Sequence, residues 1–130
     1  CAGALLRHRK AIGAEAIAIF TDIKKKHSAH AITADVDIVQ TAHAAEYFLS
    51  DGLILTGAAT GEAASAEELR AVCAATKLPV LVGSGITADN LKTYLPLADA
   101  FIVGSSFKKG GHWANPLDPD RIRRLLGALA

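Results

Sequence analysis

Four short apolar runs, each halted by Gly, Ser, Thr or Asp and each followed by a helix-like stretch, constrain this chain more than any other feature. They are Ala16 to Phe20 ending at Thr21-Asp22, Leu53 to Leu55 ending at Thr56-Gly57, Pro79 to Val82 ending at Gly83-Ser84, and Ala100 to Val103 ending at Gly104-Ser105. Parallel strands buried on both faces read as unbroken apolar runs, whereas half-exposed strands alternate. Between the runs, apolar residues recur at three and four, the spacing of one helical face. Leu69, Val72, Cys73 and Thr76 line one such segment, Leu91, Tyr94 and Leu95 a second, and Ile122, Leu125, Leu126 and Leu129 a third. Val36, Val39 and His43 predict a longer helix starting near Asp35, and Leu5 to Lys10 already has a helical pattern. Start signals agree: Ser65 with Glu68 makes a capping box, Thr87 precedes a helix, and Asp118 sits just before Pro119 at a first helical position.

Strand and helix in strict alternation are the βαβ signature, which leads to a parallel sheet. A doubly wound nucleotide-binding sheet needs its glycine-rich loop after the first strand. Here that strand ends in Thr21-Asp22-Ile23-Lys24, and the glycines follow the third and fourth strands. A (β/α)8 barrel builds its phosphate site in the loops after its last two strands, so the expected fold class is α/β, the C-terminal half of a TIM barrel. Residues 1–130 form a single half-barrel domain in this reading. Four strand-helix units cannot close a barrel, because about eight strands are needed and an open half exposes two sheet edges and one apolar face. Either an N-terminal half-barrel precedes these residues or a second copy pairs with them about a two-fold axis. The opening at Cys1, with no Met in the chain and no lead-in before the helical pattern, is the expectation of a fragment of a longer gene product.

Composition excludes several classes. Hydrophobic residues make up 51% against 21% charged, which argues against disorder. Fourteen basic and thirteen acidic side chains leave a net charge of +1, with only Lys24 to Lys26 clustered, so no nucleic-acid partner is expected. Cys1 and Cys73 are too isolated for a disulfide framework, which points to a reducing cytoplasm. No segment reaches the roughly 20 apolar residues of a membrane span. His8, His30, His43 and His112 share no ligand spacing, so no metal and no cofactor is expected; if a metal binds, Asp22 and His27 are the residues to test.

The residues that carry chemistry sit where the apolar runs stop. Val82-Gly83-Ser84-Gly85-Ile86 and Val103-Gly104-Ser105-Ser106 come in tandem after consecutive strands. Glycine lets backbone N–H groups turn toward an anion and serine adds hydroxyl donors, so Gly83, Ser84, Gly85, Gly104, Ser105 and Ser106 are the candidate phosphate ligands. A glycine that merely ends a strand is the competing reading of each alone. After the first strand, Asp22, Lys26 and His27 bring an acid, an amine and an imidazole to the rim where barrel active sites form, with a solvated basic loop as the alternative. Thr56, Gly57 and Thr60 do not titrate near neutral pH and fit substrate positioning. Cys73 reads as a small core residue, and Trp113 as a cap on the mouth or an anchor of the last loop.

Taken together, Asp51 to Gly57 with Thr60-Gly61, Pro79 to Thr87, Ala98 to Lys109, Asn115 to Ile122, and Asp22 with Lys26-His27 resemble the BtpA/SgcQ family over nearly the whole chain. The resemblance implies a phosphate-binding (β/α)8 barrel roughly twice this length, of which these are strands five to eight. It fixes no reaction: one family member is known as a peripheral photosystem I assembly or stability factor, and another lies in a carbohydrate-utilisation gene cluster. Lys24-Lys25 departs from relatives, which tend to have a His and an apolar residue there. Two functions follow as expectations. One is an enzyme acting on a phosphorylated small molecule such as a sugar phosphate or nucleotide. The other is a non-catalytic assembly factor, cytoplasmic and peripheral to a membrane.

Overall fold

The computed structural model describes residues 2–24 and 31–129. Helix α1 (Ala2–Ala11) leads to strand β1 (Phe20–Asp22), and α2 (Ile38–Tyr47), β2 (Gly52–Leu55), α3 (Ala66–Ala75), β3 (Val80–Val82), α4 (Leu91–Tyr94), β4 (Ala100–Phe101) and α5 (Pro119–Gly127) follow. The four strands are parallel and lie in chain order β1-β2-β3-β4. Parallel neighbours taken in sequence, each pair joined through a helix, are half of a (β/α)8 barrel.

Side-chain alternation divides the sheet into two unlike faces. Leu53, Leu55, Val80 and Val82 lie on one face, buried among Ala42 of α2, Leu69 and Val72 of α3 and Leu91 of α4. Burying each such branched side chain contributes about 1.5–3 kcal/mol, so this layer dominates the stability of the sheet. The pairing register puts Asp22, Ile54, Leu81 and Ala100 in one row on the other face. No helix covers that row among the described residues, and Ile54 and Leu81 are only half-buried. Phe20 on the same face lies over Gly52, where a Cβ would collide with its ring.

Three boundaries differ from the sequence reading by two residues or more. The first strand is Phe20–Asp22, not the Ala16–Phe20 run. The ladder starts at Phe20↔Gly52, and ahead of it side chains take the place of a partner strand. Arg9 donates to the Ile17 carbonyl at 3.0 Å, and Asp51 accepts from the Ile19 N–H at 2.7 Å and from Arg9 at 2.7 Å. The Ile19 N–H, and next the Arg9 guanidinium, hold the Asp51 carboxyl below its ordinary range. Helix α2 starts at Ile38 rather than near Asp35, and is no longer than α1 or α3. Asp37 and Gln40 set that start, the side chain of each accepting the other's backbone N–H at 2.7 and 3.0 Å. The last strand stops at Phe101, although Ile102 still donates to the Val82 carbonyl.

The other start signals hold. Ser65 caps α3 by accepting from the Glu68 N–H, but the Glu68 carboxylate turns to the Lys24 ammonium at 2.6 Å instead of back to Ser65. Asp118 caps α5 with Pro119 in its first turn. Thr87 and Asn90 exchange side-chain and backbone bonds ahead of α4. Along α5 the buried stripe is Ile122, Leu125 and Ala128, while Leu126 and Leu129 are exposed.

Candidate functional site

Because the strands are parallel and adjacent, Asp22, Thr56, Gly83 and Gly104 leave the sheet at the same edge. A cavity of about 230 Å³ opens there, lined by Thr60, Gly61, Gly83 to Thr87, Gly104 to Ser106, Gly111 and Arg121. All six glycine and serine residues proposed for phosphate are on its wall, and so is Thr60.

Local chemistry explains the shape of this wall. Gly85 has φ +67°, and a Cβ there would collide with the backbone of Glu62 and Ala63, so only glycine lets the loop after β3 press onto the loop after β2. Ser84 is buried; its hydroxyl donates to the Glu62 carbonyl at 2.8 Å and accepts the Gly57 N–H at 2.8 Å. That hydroxyl therefore stitches two loops together, which leaves the backbone N–H as the donor of Ser84 without an acceptor among the described residues. Tyr94 adds a second stitch, donating to the Ala64 carbonyl at 2.7 Å from inside α4. Among the described residues, the N–H groups of Ser84, Gly85, Gly104, Ser105 and Ser106 have no acceptor, nor do the hydroxyls of Ser105 and Ser106. Unpaired backbone donors from consecutive loops on one cavity wall are the material of an anion-binding concavity.

Arg121 is the cavity residue that sequence reasoning missed. It lies in the first turn of α5, half-buried, and its Nε donates to the Ser106 carbonyl at 2.7 Å. Asp118-Pro119 marks the start of the helix that carries it, but no local pattern reports the contact with Ser106, 15 residues away.

The remaining candidates lie elsewhere. Thr56 and Gly57 are buried beneath the cavity and do not line it; the Thr56 hydroxyl donates to the Lys24 carbonyl at 2.6 Å. Asp22 ends β1 as expected, but borders a separate cleft of about 490 Å³ together with Lys24, Glu68 and Thr41. Its carboxylate accepts the Lys24 N–H at 2.9 Å and stands 3.5 Å from the Thr56 hydroxyl. Lys26, His27, Lys25 and His30 fall outside the described residues. His43 is exposed on α2. Trp113 is exposed at the tip of the last loop, tilted against His112 with ring centres 5.8 Å apart. Cys73 donates to the Leu97 carbonyl at 3.2 Å, and burial, with Asp99 adding to it, pushes its thiol up in pKa. No helix among the described residues is long and apolar enough to cross a membrane, and no three potential ligand side chains gather in a metal-binding group among them.

Comparison with known proteins places the chain. The BtpA family model matches residues 1–130. An uncharacterised mitochondrial protein of Caenorhabditis elegans is 53% identical over 97% of this chain and 45% of its own length. An uncharacterised Archaeoglobus fulgidus protein is 38% identical over 98% of this chain and 48% of its own. The photosystem I biogenesis protein BtpA of Synechocystis is 35% identical over 97% of this chain and 44% of its own. The chain thus spans less than half the length of these relatives. Among solved structures, a thiamine phosphate pyrophosphorylase from Pyrococcus furiosus superimposes with a TM-score of 0.58 at 17% identity, covering 92% of this chain and 62% of that one. A chain of the Amycolatopsis orientalis BexX/CysO complex gives 0.55 at 22%, covering 95% and 46%. At these identities the likeness shows the fold, a TIM-barrel type. Matched over its whole length by the family model, the chain belongs to the BtpA family.

Proposed function

We propose that this protein binds a small phosphorylated metabolite, a sugar phosphate or a nucleotide, in the loops after β3 and β4, and acts on it as an enzyme. The observation that carries the reading is the group of donors without acceptors on one cavity wall: five backbone N–H groups and two serine hydroxyls beside a guanidinium. A phosphoryl group supplies the oxygens that such a wall lacks, and each charge-assisted bond is about twice as strong as a neutral one. Ser84, Gly85, Gly104, Ser105 and Ser106 hold the phosphate in this reading; Gly83, proposed with them from the sequence, gives its N–H to the Leu55 carbonyl at 2.8 Å and only lines the wall. Thr60 contacts the rest of the ligand, with Thr56 and Gly57 supporting that turn. Asp22, with Lys26 and His27, moves protons or neutralises charge at the neighbouring rim. The open face of the sheet is closed by a further half-barrel, from a longer chain or a second copy, and the protein works in the cytoplasm.

Calorimetric titration of the intact protein with inorganic phosphate and glycerol 3-phosphate, followed by a crystal soak, tests the binding step. The expected result is an anion on residues 83–86 and 104–106. No affinity for either ligand at millimolar concentration overturns the reading.

The name of the Synechocystis relative favours a second reading, a non-catalytic assembly or stability factor peripheral to a membrane. An enzyme loses turnover when Asp22 or His27 becomes Ala while staying folded. An assembly factor tolerates both changes and fails when an exposed outer helix is altered.

A further inference from the structure

Among the described arginines, Arg7, Arg70 and Arg121 have no carboxylate partner, and of these Arg7 and Arg70 are exposed whereas Arg121 is half-buried. Arg9 pairs with Asp51, Arg123 with Asp120, and Arg124 with Asp89. Arg121 has no carboxylate within ion-pair distance among the described residues, although it is half-buried and acidic side chains surround its helix turn. Those acids are engaged elsewhere. Asp118 accepts from the N–H groups of Asp120 and Arg121, Asp120 holds Arg123, and Asp89 holds Arg124 at 2.7 Å. A half-buried cation with no counter-charge is costly unless something else meets it.

Its placement is also fixed. The Ser106 carbonyl takes the Nε–H at 2.7 Å, which leaves the four N–H bonds of the two terminal nitrogens without a described partner. Gly111 lies against that end of the side chain, since a Cβ there would come within 3.3 Å of Nη2. Arg121 lines the 230 Å³ cavity and also a smaller one of about 150 Å³ beside Asp89 and Arg124, and shares both with Thr87 and Ser106.

We propose that Arg121 selects the ligand by charge: it is the residue that makes the site prefer the doubly charged terminal phosphoryl of a monoester over the singly charged phosphate of a diester. This rests on the phosphate reading and narrows it. Backbone N–H groups carry only partial charge and accept either ester. A planar guanidinium with free terminal nitrogens forms two parallel bonds to a terminal phosphoryl, and the second negative charge strengthens both. A diester presents two non-bridging oxygens and one charge, so it loses most of that gain.

The test is titration of the intact protein and its Arg121→Gln and Arg121→Lys variants with glycerol 3-phosphate and with dimethyl phosphate, with circular dichroism to verify folding. The unaltered protein is expected to prefer the monoester. Arg121→Gln should bind it about ten- to a hundredfold more weakly, the range for loss of a charged hydrogen-bond partner, while binding of the diester changes little. Arg121→Lys keeps the charge without the fork and should fall between. A folded Arg121→Gln that retains both the affinity and the monoester preference overturns the proposal and leaves the phosphate reading standing. If Arg121→Gln does not fold, Arg121→Lys decides: a reduced preference supports the proposal and an unchanged one overturns it. An unaltered protein that binds neither ligand removes the phosphate reading and this inference with it.

Discussion

Gly85 and Gly61 both have positive φ, at +67° and +84°, yet they should respond differently to the same change. At Gly61 nothing lies within 4 Å of an added Cβ, so Gly61→Ala should cost about 1–2 kcal/mol, the backbone term alone. At Gly85 the added atom meets the Glu62–Ala63 backbone, so Gly85→Ala should cost several kcal/mol in urea denaturation and pull the loop after β3 away from the loop after β2. Equal costs would mean that the two loops do not press together as described. Ser84→Ala should cost about 1–3 kcal/mol, because it strands the Gly57 N–H and the Glu62 carbonyl together. The glycines and serines of this wall were legible in the sequence, since residue type and tandem placement after strands both speak for donors. Which serine keeps a free hydroxyl was not legible: that depends on where Glu62 lies, and no local pattern reports a contact 22 residues away. Arg121 was hidden for the same reason, its role being set by the carboxylates that do not reach it.

At the scale of elements, the helices were read more accurately than the strand ends. A helix carries its own stop and start chemistry, so Asp118-Pro119 and Ser65 marked α5 and α3 directly. The start of α2 slipped because Asp35 and Asp37 are both eligible caps, and only Gln40 three residues after Asp37 completes the reciprocal pair. Asp37→Ala should cost about 1 kcal/mol and Asp35→Ala nearly nothing, measured by thermal denaturation. A strand ends where its partner ends, and the apolar run from Ala16 could not disclose that β2 begins only at Gly52. Asp51 occupies that junction and ties α1 to the segment before β1. Its pKa is depressed in the folded state, so it stabilises the fold fully above the ordinary carboxylate range, and this contribution is lost as pH falls through the depressed value. Asp51→Asn should therefore destabilise the protein near neutral pH and flatten its acid-unfolding profile. An identical acid profile for the variant would refute the role assigned to the Arg9–Asp51–Ile19 cluster.

The whole molecule has one finished face and one unfinished face, and the difference is energetic as well as geometric. Leu53, Leu55, Val80 and Val82 are packed to near-zero exposure under the helices, whereas Ile54 and Leu81, in one row on the opposite face, are half-open and Ile102 is 47% exposed. Substitutions at two leucines on neighbouring strands, one on each face, should consequently differ in cost in the 130-residue chain. Leu55→Ala empties a closed site and should cost about 2–5 kcal/mol. Leu81→Lys places a charge on a face that water already reaches, so the sheet should survive, and any self-association through that face should disappear. In a protein of its relatives' length, where the proposed second half covers this row, the same Leu81→Lys buries an unpaired charge and should prevent folding or cut soluble yield sharply. Analytical ultracentrifugation of the chain with and without Leu81→Lys, beside expression of the longer protein carrying it, separates the cases. A longer protein that tolerates Leu81→Lys as readily as the chain alone would mean that the inner face stays open, and the barrel reading of the assembly would have to be abandoned.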